Sequence, residues 1–264
     1  MKTPHFTKRP KVAIHKFSSC DGCQLAFLNL GENLIKLTEL LEIVHFVEAG
    51  PMDANATVDI AFVEGSLSTP EEKERIQTVR ANSQYLITIG ACATTGGLQA
   101  LRNLNDAKTW TANIYAHPEY VSTLDTSTAI AQHVQVDLEL WGCPVNSHQI
   151  LSTIRALLHG TTPKPDNDKL CSECKRINTV CVMVTKGMPC LGPVTRTGCG
   201  VLCPQYDRDC YACYGPAENI NTESLTQRFK ELGLSSKSIA RRFLFINNNA
   251  PAFAKVAQQL RNEN

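Results

Sequence analysis

Twelve cysteines constrain this 264-residue chain more than any other feature. Four are scattered, Cys20, Cys23, Cys92 and Cys143, and eight crowd between residues 171 and 213. By position the crowded eight divide into Cys171, Cys174, Cys181 and Cys190, then Cys199, Cys203, Cys210 and Cys213. A four-iron cluster takes four thiolates, so three sets of four match three such clusters. Several clusters in one chain imply a path for electrons.

Two other uses of cysteine compete. A disulfide scaffold is usually smaller and denser in cysteine, above about 8–10% of residues. The first ten residues hold no apolar run for a signal peptide and no twin-arginine pair, and no stretch of 18 apolar residues predicts a transmembrane helix. The expectation is a cytoplasmic chain, where thiols stay reduced and clustered cysteines bind metal. Zinc is the stronger rival, because Cys171-x2-Cys174 and Cys210-x2-Cys213 have ribbon-like spacing. However, 35 residues separate the pairs, against roughly 15–20 in a simple ribbon. Two adjacent zinc sites would use all eight cysteines, so counting alone leaves zinc open.

The first 160 residues read as an alternating α/β domain. Strands are predicted over 11–17, 42–47, 58–63, 85–89 and 134–140, with an apolar helical face formed by Phe27, Leu30, Leu34, Leu37 and Leu41. Thr69-Pro-Glu-Glu72 reads as an N-cap, a proline at the first helical position and a capping box. Asn146 is a second N-cap candidate, before Ile150, Ile154, Leu157 and Leu158. Strand–helix alternation predicts a mostly parallel sheet with helices on both faces. Cys20 and Cys23 follow the first strand, and Cys92 and Cys143 follow the fourth and fifth. Open α/β sheets bind ligands past their strand carboxyl ends, so the four converge on one edge.

Residues 161–264 differ in kind. A Thr-Pro-Lys-Pro-Asp-Asn-Asp stretch reads as a linker, and residues 171–216 show little periodicity, so metal–thiolate bonds would have to fold them. Helices are expected over 222–234, 236–245 and 251–261. The formal charge of +1 gives no basic field for nucleic acid. The last 44 residues carry seven Lys or Arg against three Glu, read as a solvated helical surface.

Cys20-Asp-Gly-Cys23, Glu64-Gly65, Gly90-Ala-Cys92-Ala-Thr-Thr-Gly-Gly97 and Trp141-Gly-Cys143-Pro144 resemble the proximal-cluster signature of [NiFe]-hydrogenase small subunits. The later cysteines, with Cys190-Leu-Gly-Pro-Val-Thr-Arg-Thr-Gly-Cys199 and Cys203-Pro, extend the resemblance from Lys11 to Pro216. The pattern is most similar to the cytoplasmic, bidirectional branch, the sulfhydrogenase delta type. The resemblance implies a flavodoxin-like domain followed by a small irregular cluster-binding domain with C-terminal helices. It implies three [4Fe-4S] clusters: proximal on Cys20, Cys23, Cys92 and Cys143, distal on Cys171, Cys174, Cys181 and Cys190, and medial on Cys199, Cys203, Cys210 and Cys213. The medial–distal partition follows chain order, and neighbouring sets can exchange a member.

The resemblance also implies partners: a large subunit carrying the nickel–iron site, and flavin/NAD(P)-binding and iron–sulfur electron-transfer subunits. The membrane-linked uptake enzymes of the family have histidine at the position of Cys171 and proline at that of Cys203. Val145 stands where a second proline is common. All-cysteine ligation implies low, even potentials suited to reversible exchange with NAD(P)H. Glu64 reads as a structural carboxylate or part of a proton exit, and His148 as a surface or supporting histidine. The alternatives are a heterodisulfide-reductase-type acceptor, a non-catalytic hydrogen sensor, a zinc-stabilised assembly module, and the one-cluster quinone-reductase subunit of respiratory complex I.

Overall fold

The computed structural model describes Phe6, residues 8–164 and residues 167–263. Met1–His5, Thr7 and two residues of the expected linker, Pro165 and Asp166, lie outside the described residues. The chain divides into two compact units, Met1–Lys164 and Pro165–Asn264.

The first unit begins with β1 (Lys11–Lys16), α1 (Gly22–Leu28), α2 (Glu32–Leu40) and β2 (Glu42–Phe46). It continues with β3 (Val58–Glu64), α3 (Pro70–Ala81), β4 (Ser83–Ile89) and α4 (Gly90–Thr95). A 3-10 segment (Gly97–Leu104), α5 (Ala107–Ile114), β5 (Leu138–Leu140) and α6 (Ser147–Leu158) complete it. The five strands are all parallel, in the order β2-β1-β3-β4-β5. That is the flavodoxin-like doubly wound order, with its switch point between β1 and β3.

Period-2 alternation sorts the strand residues onto two buried faces. Val12, Ile14, Ile60 and Phe62 pack with Phe27, Leu37, Ile150 and Ile154 from α1, α2 and α6. Ala13, Ala61 and Val63 pack with Ile76 and Val79 from α3. Phe27 anchors the first face edge-on against Phe62, with ring centroids 5.1 Å apart, and against Phe46 at 5.9 Å. Phe27→Ala is expected to cost about 3–5 kcal/mol, read as a lower denaturation midpoint with an unchanged slope.

The capping box forms as the sequence predicts. Thr69 Oγ1 accepts the Glu72 N–H at 3.3 Å, and the Glu72 carboxylate accepts the Thr69 N–H at 3.2 Å. Asn146 Oδ1 likewise accepts the His148 N–H at the start of α6. Two expectations change. The strand expected over 134–140 shrinks to three residues: Ile130–Gln132 is a 3-10 turn, and at Asp137 the backbone N–H still donates to the Leu86 carbonyl at 2.9 Å while the side chain takes the return bond. That carboxylate accepts the Leu86 N–H at 2.8 Å and Arg80 Nη1 at 2.7 Å. The apolar face from Phe27 to Leu41 is divided between two helices by Gly31, whose φ of +54° lies in the left-handed region.

Inside the first unit, His15 and His45 stack with centroids 4.8 Å apart and are each about 95% buried. Burial, then the neighbouring His45 and Arg75, hold the His15 imidazole down to about 3 from 6.5. The unfolded chain therefore takes up a proton that the fold refuses. Stability is complete above pH 6.5 and falls as pH drops toward about 3, by up to about 1.4 kcal/mol per pH unit. His15→Gln is expected to flatten that slope in chemical denaturation across this window.

The second unit contains α7 (Leu170–Arg176), α8 (Val182–Lys186) and α9 (Leu202–Gln205), then α10 (Thr222–Glu231), α11 (Ser236–Phe243) and α12 (Pro251–Asn262). The last three occupy the segments where helices are expected. They bury Leu225, Phe229, Ile239, Phe243, Phe253 and Leu260 with Leu191 and Val194 in one cluster. The short α7–α9 are not legible in the sequence, because four to seven residues are too few to show a period. Among the described residues, no helix is long and apolar enough to cross a membrane.

Candidate metal centre

The carboxyl edge of the sheet gathers the four scattered cysteines. Cys20 is exposed just past β1, and a left-handed Asp21 turns the chain into α1, where Cys23 is buried. Cys92 sits on α4, directly after β4, and Cys143 follows β5. The four thiols lie close enough for their charges to interact: Cys23 with Cys92 and Cys143, Cys92 with Cys143 and Cys20, and Cys143 with Cys20.

Glu64 closes this group from the end of β3. Its carboxylate is 2% exposed and accepts the N–H groups of Cys23 at 3.3 Å and Gln24 at 2.9 Å. It thereby ties β3 to the turn that carries Cys23, the structural one of the two roles read from the sequence. Burial outweighs those two bonds and raises its pKa. Gln24, fully buried beside Cys23 in sequence, has neither its amide oxygen nor its nitrogen partnered. The sequence does not single it out, since one polar residue between apolar ones reads as a helix surface.

The donor set suits a cationic, sulfur-loving group. Burial pushes the Cys92 thiol up to about 12 and raises Cys23 and Cys143 as well, with Glu64 adding to the rise at Cys23 and Cys92. Thiols so placed ionise only when a positive centre compensates the buried charge. The backbone also leaves room for sulfur. A Cβ on Gly90 would lie 2.3 Å from Cys23 Sγ, and one on Gly97 would lie 2.8 Å from Cys92 Sγ.

Among the crowded cysteines of the second unit, the first four come together. Cys171 and Cys174 ride on α7, Cys181 begins α8, and Cys190 is buried ahead of a 3-10 turn at Gly192–Val194. Their charges interact, Cys174 with Cys171, Cys190 and Cys181, and Cys171 with Cys190 and Cys181. Burial drives Cys174 to about 12 and Cys171 to about 11, and Lys175 and Lys169 oppose the rise at Cys171. A Cβ on Gly192 would meet Cys190 Sγ at 3.4 Å and Cys171 Sγ at 3.6 Å.

The last four cysteines fall into two pairs, Cys203 interacting with Cys199 and Cys210 with Cys213. Cys210 also reaches the neighbouring set: its N–H donates to Cys190 Sγ at 3.3 Å. The Ala212 N–H donates to Cys210 Sγ at 3.4 Å, and the Cys210 thiol reaches Thr195 Oγ1 at 3.7 Å. Among the described residues, no three His, Cys, Asp or Glu side chains gather around a point where one metal ion would sit.

Residues 20–157 match the family described as NADH ubiquinone oxidoreductase, 20 kDa subunit. Sulfhydrogenase 2 subunit delta of Pyrococcus furiosus is 32% identical over 88% of this chain and 97% of its own length. A subunit of the F420-non-reducing hydrogenase vhu of Methanocaldococcus jannaschii is 28% identical, over 79% of this chain and 82% of that protein. The HoxS subunit delta of the NAD-reducing hydrogenase of Cupriavidus necator is 28% identical, over 57% of this chain and 79% of that protein. In fold, the chain is similar to a chain of an NAD+-reducing [NiFe]-hydrogenase, with a TM-score of 0.56, 24% identity and coverage of 60% of this chain and 96% of that one. A chain of the [NiFeSe]-hydrogenase of Dm. baculatum gives 0.56 at 14% identity, over 83% of this chain and 98% of that one.

Proposed function

Because the chain belongs to the NADH ubiquinone oxidoreductase 20 kDa subunit family, and within it to the [NiFe]-hydrogenase small subunits, we propose that it carries electrons between a nickel–iron site in a large subunit and an acceptor module through three [4Fe-4S] clusters. Cys20, Cys23, Cys92 and Cys143 hold the proximal cluster. Cys171, Cys174, Cys181 and Cys190 hold the distal cluster, and Cys199, Cys203, Cys210 and Cys213 the medial one. Bound clusters supply one-electron carriers. The observation that carries this reading is the convergence of four thiols from three strand ends beside Glu64, Cys23 buried, Cys92 and Cys143 half-buried and Cys20 exposed.

The chain's own residues hold and tune these groups. Glu64 fixes the Cys23–Gln24 backbone, and the N–H groups of Cys210 and Ala212 point at sulfur. Such bonds favour the more negative, reduced state and raise a potential. The match of 88% of the chain to a hydrogenase delta subunit favours this reading over a one-cluster quinone-reductase subunit.

Iron analysis of the purified complex tests the proposal: about twelve irons on this chain, matched by sulfide. Zinc without visible absorption overturns it. Cys203→Pro is expected to leave three irons at the medial site, raise its potential and slow turnover, checked by EPR titration.

We place the complex in the cytoplasm, with a flavin/NAD(P) module as acceptor, a reading supported by the NAD-reducing relative. The alternative acceptor is of heterodisulfide-reductase type. Hydrogen-dependent reduction of NAD(P)+ by the intact complex separates the two.

A further inference from the structure

The two cysteine sets of the second unit meet at one place, and an ion pair sits there. Asp209 precedes Cys210, and its residue is 8% exposed. Arg242, from α11, donates to the Asp209 carboxylate and, at 3.2 Å, to the carbonyl of Pro189, which precedes Cys190. One guanidinium therefore joins the segment ahead of Cys190 to the segment ahead of Cys210. The same two segments exchange further bonds: the Cys210 N–H to Cys190 Sγ at 3.3 Å, and the Leu191 N–H to the Cys210 carbonyl at 3.2 Å. The Asp209 charge also acts on a member of each set, Cys190 in one and Cys203 in the other. Cys203 additionally feels Arg208 and Cys199.

We propose that the Asp209–Arg242 ion pair is a shared electrostatic control on both C-terminal clusters, with Arg242 clipping the Cys190 and Cys210 segments together. The inference rests on the cluster reading given above. The side chains of the pair are only 12% and 27% exposed, so water screens them poorly and their field reaches both sets. The Asp209 carboxylate disfavours adding an electron to either cluster, and the Arg242 guanidinium offsets it. One electron passing between the clusters oxidises one and reduces the other, breaks no bond and needs no proton. Hand-over in both directions requires that neither potential lie far above the other. A charge shared by both sets moves them together and preserves that balance. Asp209 and Arg242 are positioning residues here, acting through the cysteine segments.

The test is an EPR-monitored redox titration of the intact hydrogenase complex carrying Asp209→Asn, Arg242→Ala or Arg242→Lys. Asp209→Asn keeps an oxygen for Arg242 and removes only the charge. It is expected to raise both potentials, so that each cluster's reduced-to-oxidised ratio at a fixed poise rises several-fold. Arg242→Ala leaves the carboxylate uncompensated and is expected to shift both ratios several-fold the opposite way, while Arg242→Lys stays near wild type. A shift at one cluster alone, shifts of the same sign in Asp209→Asn and Arg242→Ala, or no shift overturns the proposal. If Arg242→Ala loses iron, Asp209→Asn and Arg242→Lys decide by the same criteria. A wild-type complex without iron at these cysteines defeats the cluster reading itself. Iron present with unmoved potentials defeats only this inference.

Discussion

Cys143→Ala is expected to strip the proximal site of about four irons and to lower hydrogen-driven reduction of external acceptors by at least about a hundredfold. The thiol lies where β5 ends, and its charge interacts with those of the other three cysteines at the sheet edge. In the proposed ligand set no neighbouring cysteine is free to replace it, because Cys20, Cys23 and Cys92 serve the same site. The fold should persist, since Leu140 and Val145 on either side are buried in the sheet core independently of the thiol. Far-UV circular dichroism therefore stays near wild type while iron and activity fall. Hydrogen–deuterium exchange by the large subunit, which needs no electron to leave, should survive. Full acceptor reduction by the variant would remove Cys143 from the ligand set.

Gly90→Ala is expected to damage the same site without removing a ligand. Two effects add at this position. Its φ of +85° strains any residue with a side chain, by about 1–3 kcal/mol. The new methyl group would also lie 2.3 Å from Cys23 Sγ, so either the thiol or the start of α4 must move. Each kilocalorie lost in a domain this size lowers Tm by about 2–4 °C, and displacement of Cys23 should lower iron incorporation at the proximal site. Gly31→Ala is the control, with φ at +54° and nothing within 4 Å of the added carbon. It should cost backbone strain alone and leave iron content unchanged. Equal iron loss in both variants would show that strain, and not the contact with Cys23, is what matters at Gly90.

Where the sequence carries strong local signals, they suffice. Thr69, Pro70 and Glu72 build their capping box from four consecutive residues, so nothing distant can alter it. β1, β3 and β4 are buried on both faces and read as apolar runs. The sequence overstates the length of β5 because Val134 and Val136 alternate like a strand, whereas Asp137 satisfies the Leu86 N–H with its carboxylate. Only side-chain geometry distinguishes that contact from a ladder bond.

The same division holds at the sites. The spacing of the cysteines determined which twelve side chains to consider, and placement after successive strands determined that four of them share an edge. Those conclusions need only chain order and the rule that parallel strands end on one side. The contacts between the sites were decided by tertiary structure. That Glu64 holds the Cys23 backbone, that Cys210 donates to Cys190, and that Arg242 bridges Pro189 and Asp209 join residues 20 to 53 positions apart. Burial and hydrogen bonding across such separations follow from how the elements pack, and local sequence carries no record of them.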